Sequence, residues 1–364
     1  MRLLWVELKD FRNHPDTHLT EIPSGLAVAV GANGEGKTNL LEAMYFLLSL
    51  SSPRASASGP LVRSGSAAGY VRGEAETPEG KLLIEVEIPQ TGASRLHVNR
   101  SPLRRKGELR RKVRAVFFSP EDLDVVRGDP AGRRRFMEEA VSALWPLRDA
   151  DHRAYDRALR QRNRLLKEWE GRGAPSELDA WDAELVKHGV AVTRARADAI
   201  ARVAPHADAE FLRLSGYGLL CEYGPSVAGE PLEDAFAARL AERRADELVR
   251  RTSLVGPHRD ELEIAVRDLG ARAFASHGEA WGAALCLRLG LADSVAEEMG
   301  EAPIVLLDDP FSALDPERKR RVAEGLAGRG QVVVSVADEG DVPPRAEAVW
   351  DVRAGSVSVR GSAH

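Results

Sequence analysis

One eight-residue segment limits the possible folds of this chain more than any other feature. The segment Gly31-Ala32-Asn33-Gly34-Glu35-Gly36-Lys37-Thr38 matches the pattern G-x-x-x-x-G-K-[ST] throughout. An apolar run at Leu26–Val30 precedes it and predicts a short strand, and Lys37–Leu50 follows with apolar residues at helical spacing. A strand, a glycine-rich loop and a helix in this order are typical of an α/β domain that binds phosphates.

The residue types in this segment explain how phosphates would be bound. Glycines allow backbone N–H groups to turn around phosphates without steric conflict, and the N-terminus of the following helix adds positive potential. We expect Lys37 to reach the β- and γ-phosphates of a nucleotide and the Thr38 hydroxyl to bind Mg²⁺. The predicted nucleotide-binding residues are Gly31, Ala32, Asn33, Gly34, Glu35, Gly36, Lys37, Thr38 and the following Asn39.

A second apolar run ends in two carboxylates. Ile304–Leu307 is followed by Asp308 and Asp309, which predicts a buried parallel strand with acids at its carboxyl end. We expect Asp308 to hold hydrated Mg²⁺ opposite Thr38, and Asp309 to act as a catalytic base or to orient water. Two acids after a strand could also cap an ordinary loop, but the glycine-rich segment favours the functional interpretation.

A third segment, Ser276-His277-Gly278-Glu279, precedes an apolar helical run and predicts a helix that begins after Ser276. Open N–H groups at such a helix start form a natural site for an oxyanion or a phosphate. A plain structural cap is the alternative for an isolated serine in this position. The segment Ser312-Ala313-Leu314-Asp315 follows shortly after Asp309. Its Asp315, together with Ser276 and Gly278, completes the predicted nucleotide-binding residues.

Basic residues are clustered although the chain as a whole is acidic. The 364 residues include 51 Lys and Arg against 56 Asp and Glu, a net charge of −5. A basic surface on an acidic protein suits reversible contact with a nucleic-acid backbone, and solvated surface arginines are the alternative. Arg318–Arg321 is one further cluster, and another, Arg133–Arg135, could equally brace the arm against the head. The predicted DNA-binding residues are Arg100, Arg104, Arg105, Lys106, Arg110, Arg111 and Lys112.

Composition excludes several classes of protein. Hydrophobic residues make up 43% of the chain and charged residues 29%, which is enough apolar material for a core. No window approaches the roughly 18 consecutive apolar residues of a membrane span, and the first residues turn acidic too early for a secretory signal. Two distant cysteines, Cys221 and Cys286, provide neither a disulfide framework nor a zinc site. We therefore expect a cytoplasmic protein with no membrane partner.

The character of the sequence changes twice along the chain. Antiparallel strands are predicted at Val71–Ala75, Leu82–Ile88 and Arg95–Val98. From Arg133 to Leu214, helical stripes without strands predict two antiparallel helices of about 25 and 30 residues, and Pro205 is expected to kink or end the second. Strand–helix alternation then returns, and it includes a predicted strand at 261–266. The expected ranges are an N-terminal head part at 1–130, a helical arm at 131–249 and a C-terminal head part at 250–364.

Together these segments resemble the ATP-binding-cassette heads of SMC-like proteins and, more closely, the RecF family of bacterial recombination mediators. The resemblance extends from the N-terminus to about Asp315. It implies an ABC-type P-loop ATPase head, with a mixed sheet, flanking helices and an antiparallel β part, into which an antiparallel helical arm is inserted. The further segments that carry it are Leu8-Lys9-Asp10-Phe11-Arg12-Asn13, Phe118-Ser119-Pro120-Glu121-Asp122-Leu123, Arg127-Gly128-Asp129-Pro130 and Gly256-Pro257-His258-Arg259-Asp260.

The resemblance also implies a biochemical role. ATP and Mg²⁺ would bind, and weak DNA-dependent hydrolysis would serve a binding switch. The protein would form an ATP-dependent homodimer in which Ser276 of one copy contacts the γ-phosphate held by the loop of the other. Implied partners are double-stranded DNA, single-strand/duplex junctions, RecR and RecO, and the implied outcome is RecA loading during recombinational repair and replication recovery.

Several residues depart from the family pattern. His277 and Glu279 stand where family members usually carry glutamine, and Asp309 stands where cassette transporters carry glutamate. No histidine follows the predicted strand Val332–Val336, which leaves Asp309 or Ser335 to position water. A transporter ATPase subunit and a monomeric P-loop kinase are the alternative functions. The first lacks the histidine, and the second leaves Ser276, the arm and the basic clusters unexplained.

Overall fold

The structure is a computed structural model that describes residues 1–55, 57–103, 106–171 and 176–360. Its strands are β1 (Arg2–Phe11), β2 (His14–Leu19), β3 (Leu26–Val30), β4 (Ala68–Thr77), β5 (Gly80–Pro89), β6 (Arg95–Val98), β7 (Ser101–Pro102), β8 (Ala115–Phe118), β9 (Leu219–Gly224), β10 (Glu261–Val266), β11 (Leu269–Gly270), β12 (Ile304–Asp308), β13 (Val332–Val336), β14 (Ala348–Arg353) and β15 (Ser356–Val359). Its helices are α1 (Lys37–Ser49), α2 (Lys106–Lys112), α3 (Leu123–Arg127), α4 (Pro130–Leu144), α5 (Asp149–Glu168), α6 (Glu177–Ser215), α7 (Leu232–Arg250), α8 (Ala271–Phe274), α9 (His277–Met299) and α10 (Pro316–Leu326).

The chain folds into two compact units. The head unit contains Met1–Leu123, His206–Gly218 and the described residues from Ala275 onward. The arm unit contains Asp124–Pro205 and Leu219–Phe274. Helix α6 therefore contributes residues to both units. Among the described residues, no helix combines the length and the apolar character needed to cross a membrane.

Two six-stranded sheets form the framework of the head unit. One has the order β15-β14-β3-β13-β12-β8, and only its edge strand β15 runs antiparallel to its neighbour. The other has the order β2-β1-β4-β5-β6-β7 and is antiparallel throughout. This pairing of a mixed sheet with an antiparallel sheet confirms the fold class expected from the sequence.

Helix α1 packs against both sheets and is therefore apolar on almost all sides. Leu40, Met44 and Leu47 are fully buried. They share one hydrophobic core with Val6 of the antiparallel sheet and Leu306 of the mixed sheet. A helix that is apolar around its circumference is typical of a core element. The helix is thereby fixed with its N-terminus at the carboxyl end of β3.

The two long helices differ in length from the prediction. Helix α5 has 20 residues and α6 has 39. Helix α6 continues through Pro205, so it does not end at the proline. Beyond that point Ala207 and Phe211 are fully buried, and a side-chain carbon placed on Gly290 of α9 would lie 2.6 Å from the Ala207 nitrogen. This close packing offsets the hydrogen bond that a proline removes from a helix.

A small sheet in the arm unit was only partly foreseen. Strand β10 lies where the sequence predicts it, but it pairs with β9, a strand that the sequence analysis missed, and with β11. Both partner strands belong, like β10, to the arm unit. The domain ranges 1–130, 131–249 and 250–364 stay a prediction.

The segment Gly256–Asp260 holds the arm unit together through a buried carboxylate. Asp260 is 1% exposed and accepts hydrogen bonds from Arg196 Nη1 at 2.9 Å, from the Ser226 backbone N–H at 2.8 Å and from the Tyr223 hydroxyl. Arg196 Nη1 also donates to the Pro257 carbonyl at 2.6 Å. These contacts give the segment a structural role within the arm unit.

A second buried contact involves the histidine of the same segment. His258 Nδ1 lies 2.7 Å from the Tyr155 hydroxyl, and its Nε2 lies 3.0 Å from the Ser253 carbonyl oxygen. Because only a protonated Nε2 can donate to that carbonyl, the neutral ring accepts from Tyr155 at Nδ1. Burial lowers the pKa of His258 to about 4, so the ring is neutral at pH 7.

Replacing Asp260 tests the structural role of this segment. Asp260→Ala leaves Arg196 with Glu138 and the Pro257 carbonyl but removes the buried acceptor shared by Arg196 Nη1, the Tyr223 hydroxyl and the Ser226 N–H, which we expect to cost about 1–3 kcal/mol of unfolding free energy. Glu263→Ala, an exposed position on the same strand, is the control and should change stability by less than about 0.5 kcal/mol. Urea unfolding followed by circular dichroism measures both, and equal stability of the two variants would contradict the assignment.

Candidate nucleotide site

Three neighbouring strands of the mixed sheet bring the predicted site together. Strand β3 leads into the glycine-rich loop, β12 ends at Asp308, and β13 lies between them. Val30 pairs with Val336 of β13, and Asp308 pairs with Ser335 of the same strand. Because these strands are parallel, their carboxyl ends meet at one edge, where ligands of open α/β sheets bind.

Thr38 and Asp308, which the sequence analysis placed on opposite sides of a magnesium ion, are in direct contact in the structure. The Thr38 hydroxyl lies 3.0 Å from Asp308 Oδ1 and 2.8 Å from Oδ2. Asp308 is only 4% exposed. A threonine hydroxyl and a carboxylate are both hard oxygen ligands, the type that Mg²⁺ prefers in proteins. The residues present therefore fit a magnesium ion shared with a bound phosphate.

Lys37 is held across the loop that precedes it. Its Nζ donates to the carbonyl oxygens of Gly31 at 2.6 Å and Ala32 at 2.9 Å. Burial lowers the pKa of Lys37, while the carboxylates of Asp308 and Asp309 act in the opposite direction. The ammonium group thus sits inside the loop, where incoming phosphate oxygens would replace two carbonyls as its partners.

The glycine-rich loop is held by hydrogen bonds from residues at the turn between β1 and β2. Asn13 Nδ2 donates to the Glu35 carbonyl at 3.1 Å, and its Oδ1 accepts from Asn39 at 2.8 Å. His14, which is fully buried, lies 3.0 Å from the Gly36 carbonyl oxygen. The sequence analysis missed these supporting contacts. In the sequence, the segment Leu8-Lys9-Asp10-Phe11-Arg12-Asn13 contributed to the family resemblance, but it did not predict a contact with the glycine-rich loop.

The conformation of the loop requires glycine at Gly36. Its φ of 117° lies in the left-handed region, and a side-chain carbon there would lie 2.8 Å from Asn13. A second turn, after β14, closes on the same loop, because the Gly355 N–H donates to the Glu35 carbonyl at 2.8 Å. The backbone of Gly31–Thr38 is therefore fixed by contacts from two sides.

Ser335 links the two acids at the end of β12. Its hydroxyl donates to Asp308 Oδ1 at 2.5 Å and accepts from the Asp309 backbone N–H at 3.0 Å, and the residue is fully buried. Because its single O–H is used by Asp308, Ser335 holds Asp308 and the backbone of Asp309 in place, and the role of Asp309 toward water stays a prediction. Burial, followed by the neighbouring charge of Asp308, raises the pKa of Asp309.

Ser276 forms a reciprocal cap at the start of α9. Its hydroxyl accepts from the Glu279 N–H at 3.3 Å, and Glu279 accepts from the Ser276 N–H at 2.8 Å and from the Tyr217 hydroxyl at 2.6 Å. Glu279, one of the departures from the family pattern, therefore serves this cap. A side-chain carbon placed on Gly278 would lie 3.3 Å from Arg318 Nη1, so a cation lies beside the helix start.

Asp315 has a similar local role. It is the N-cap of α10, and its carboxylate accepts from the Arg318 N–H at 2.9 Å. This backbone hydrogen bond lowers the pKa of Asp315. Within one copy of the described chain, no hydrogen bond or ion pair joins Ser276, Gly278 or Asp315 to the loop at Gly31–Asn39. The structure therefore brings together the loop and the acids after β12, but not this third group.

The predicted DNA-binding surface is only partly exposed. Lys106 donates to the Leu50 carbonyl at 2.8 Å and Arg110 to the Ser49 carbonyl at 2.7 Å, which fastens α2 to the end of α1. Lys112 forms an exposed ion pair with Glu79 at 3.1 Å. The positions that stay exposed without such a contact are Arg100 and Arg111. The predicted residues Arg104 and Arg105 lie outside the residues that the structure describes.

The other basic clusters are largely neutralised. Arg133 is 6% exposed and donates to both carboxylate oxygens of Glu261, at 2.5 and 2.9 Å, so it braces the arm unit. Arg320 and Arg321 pair with Glu317 on the exposed side of α10. This ion pair lies within the arm unit, so the expectation that Arg133–Arg135 braces the arm against the head stays a prediction.

Comparison with known proteins gives consistent matches over most of the chain. A family model described as the RecF/RecN/SMC N-terminal domain matches residues 2–353. The DNA replication and repair protein RecF of Streptomyces avermitilis is 40% identical over 357 residues, which cover 94% of this chain and 95% of the relative. RecF of Cutibacterium acnes is 38% identical over 367 residues, which cover 93% of each.

Solved structures agree with these matches. A structure of the recombination mediator protein RecF with ATP in the RecFOR pathway has a TM-score of 0.89 and 28% identity, covering 99% of this chain and 97% of that one. An Smc head domain from Pyrococcus furiosus has a TM-score of 0.58 and 17% identity, covering 98% of this chain and 95% of that one. The second similarity concerns the fold alone.

Removing the Ser335 hydroxyl tests its role in positioning the acids. Ser335→Ala should weaken Mg²⁺-dependent nucleotide binding by about tenfold or more, because a hydrogen bond to a charged group contributes about 1.5–3 kcal/mol. Ser294→Ala, which removes a buried hydroxyl that donates to the Gly290 carbonyl, is the control and should bind like the wild type. Titration with a fluorescent nucleotide, with and without Mg²⁺, measures the effect. Equal affinities for wild type and Ser335→Ala would refute the role.

Proposed function

Because the chain belongs to the RecF family of DNA replication and repair proteins, we propose that it is an ATP-dependent clamp on duplex DNA. ATP joins two copies, the joined pair holds the duplex, and slow hydrolysis releases it. The observation that carries the proposal is the contact of Thr38 with Asp308 beside the glycine-rich loop. The TM-score of 0.89 to a RecF structure named with ATP supports the same ligand here.

The nucleotide is held by the loop residues Gly31–Asn39. Backbone N–H groups of the loop and the N-terminus of α1 receive the phosphates, and Lys37 exchanges its carbonyl partners for phosphate oxygens. Thr38 and Asp308 supply oxygen ligands for Mg²⁺. When bound, this ion neutralises charge on the β- and γ-phosphates.

Asp309 is the proposed catalytic residue. It accepts a proton from the attacking water or orients that water toward the γ-phosphate. Its backbone N–H is fixed by Ser335, and its side chain is one methylene shorter than the glutamate of cassette transporters. We expect hydrolysis to be weak for this reason, and to serve release of DNA rather than rapid turnover.

Ser276, Gly278 and Asp315 complete the site in the partner copy. Among the described residues they form no hydrogen bond or ion pair with the loop of their own copy, whereas the start of α9 offers backbone N–H groups and the nearby Arg318 to an anion. The γ-phosphate bound to one copy is such an anion. ATP thus bridges two heads, so that nucleotide binding and dimerisation are coupled.

DNA and further partners follow from the family. The DNA-contacting surface includes Arg100 and Arg111, together with Lys106, Arg110 and Lys112, whose charges remain although they make local contacts. Duplex DNA and single-strand/duplex junctions are the proposed substrates for binding. RecR and RecO are the proposed protein partners in loading RecA, and the proposed location is the cytoplasm. The proposed organisation is a head at 1–130 and 250–364 with an arm at 131–249.

Substitution of Ser276 separates nucleotide binding from dimerisation. Ser276→Arg should bind Mg²⁺-ATP like the wild type but lose ATP-dependent dimerisation and duplex binding, because the larger side chain blocks the partner's phosphate. Ser356→Arg, at an exposed position on β15, is the matched control and should dimerise normally. Asp309→Asn should give the opposite result, a dimer that persists because hydrolysis is blocked.

The measurements are light scattering for mass and fluorescence anisotropy for binding to labelled duplex DNA, each with ATP, with ADP and without nucleotide. A Ser276→Arg protein that still dimerises with ATP would disprove the contact between copies. A wild-type protein that binds duplex DNA equally well without ATP would disprove the switch.

A further inference from the structure

Helix α5 in the arm unit carries a stripe of basic side chains. At 100° per residue, five cations spaced three or four residues apart fall within an arc of about 80° on one side of the helix. All five are exposed, and the opposite side is buried in the arm unit. The members of this stripe are Arg153, Arg157, Arg160, Arg164 and Lys167.

The stripe is mostly unpaired within the chain. Arg164 forms an exposed ion pair with Glu168 at 2.8 Å, one turn away. In the part of the chain that the structure describes, no carboxylate lies within 4 Å of the other four cations. Neighbouring like charges at i,i+3 or i,i+4 destabilise a helix by about 0.2–0.5 kcal/mol for each pair. The isolated arm therefore carries a cost of repulsion that an anionic partner would relieve.

Two other helices with several exposed arginines, α7 and α10, do not share this arrangement. On α10, Arg320 pairs with Glu317 and Glu324, so its charge is balanced within two turns. On α7, Arg239 and Arg243 each pair with an acid three residues later. The arginines of these two helices are thus balanced by carboxylates of the same helix, and the α5 stripe is different.

We infer that the α5 stripe binds the sugar–phosphate backbone of duplex DNA, a contact site additional to the surface at Arg100–Lys112. The inference rests on the proposed function, since it assigns a second surface to the same DNA. At a rise of about 1.5 Å per residue, the stripe is about 21 Å long with cations about 4.5–6 Å apart. That length corresponds to about six base pairs of duplex at about 3.4 Å each.

The chemistry of the stripe favours phosphates over an acidic protein partner. Four of its five members are arginines, whose planar fork of donors matches phosphate and carboxylate oxygens alike, so the surroundings of the stripe decide between the two. Protein interfaces usually contain a buried apolar centre, but none of the exposed large apolar side chains among the described residues lies on α5. A row of charges without apolar neighbours is typical of contacts that position a nucleic-acid backbone.

The salt dependence of duplex binding tests the inference. We would replace Arg153, Arg157 and Arg160 together by glutamine and measure the affinity for labelled duplex with Mg²⁺-ATP between 50 and 200 mM salt. Each phosphate contact contributes about 0.9 to the slope of log affinity against log salt. The slope of the triple variant should therefore fall by about 2–3, and its affinity near 100 mM salt by at least about tenfold.

Two control variants make the result specific. The triple glutamine variant of Arg194, Arg239 and Arg243 removes three arm arginines that are paired with acids, and it should retain the wild-type slope. Lysine at 153, 157 and 160 keeps the charges and should retain most of the slope. Light scattering with ATP should give the same dimer for all variants, because none of these residues belongs to the nucleotide site.

The outcomes separate this inference from the proposed function. A wild-type slope for the glutamine variant of the stripe would overturn the inference while leaving the clamp intact. An equal loss of slope in the paired-arginine control would also overturn it, because the effect would then be one of net charge. Absence of ATP-dependent duplex binding by the wild type would instead contradict the proposed function, and the stripe would have no DNA to contact.

Discussion

The hydrogen bonds between Thr38 and Asp308 join two parts of the chain that are 270 residues apart. They form only when β3 and β12 lie in one sheet with β13 between them, so the nucleotide site requires both ends of the sequence. The burial of α1 against both sheets fixes the Thr38 side of this contact, and the buried strand β12 fixes the Asp308 side. A change that separates β3 from β12 would therefore remove the proposed metal site even if Thr38 and Asp308 themselves were unchanged.

Contacts around this pair are arranged to limit its movement. Ser335 holds Asp308 and the backbone of Asp309 from β13, while Asn13 and His14 support the loop from the β1–β2 turn. Such support is what keeps binding groups in a productive geometry before a ligand arrives. The start of α9, which we propose faces the partner copy, is also held in place, because Ser276 and Glu279 cap each other. In the proposed clamp, one phosphate would join this helix start to the loop of the other copy, so dimerisation would depend on the nucleotide.

Local patterns in the sequence predicted the glycine-rich loop and strands β3, β6, β10 and β13, because each of these depends on a short segment. The proximity of Thr38 to Asp308 was predictable because the carboxyl ends of parallel strands meet at one edge of a sheet. The support from His14 and the strand β9 were missed because they depend on pairings between distant segments, which a local pattern does not record. The same limit applies to charge. Arg133 is neutralised by Glu261, 128 residues away, whereas four of the five cations of the α5 stripe have no carboxylate within 4 Å among the described residues, and the sequence clusters do not distinguish these two cases.

A double-mutant cycle on Thr38 and Asp308 tests the central claim most directly. Thr38→Val, Asp308→Asn and the double variant are compared with the wild type for nucleotide affinity by titration calorimetry, with Mg²⁺ and with EDTA. If the two side chains share one ion, their effects with Mg²⁺ should be coupled by at least about 1 kcal/mol, and the coupling should disappear in EDTA. Effects that add to within about 0.5 kcal/mol in both conditions would contradict the shared site.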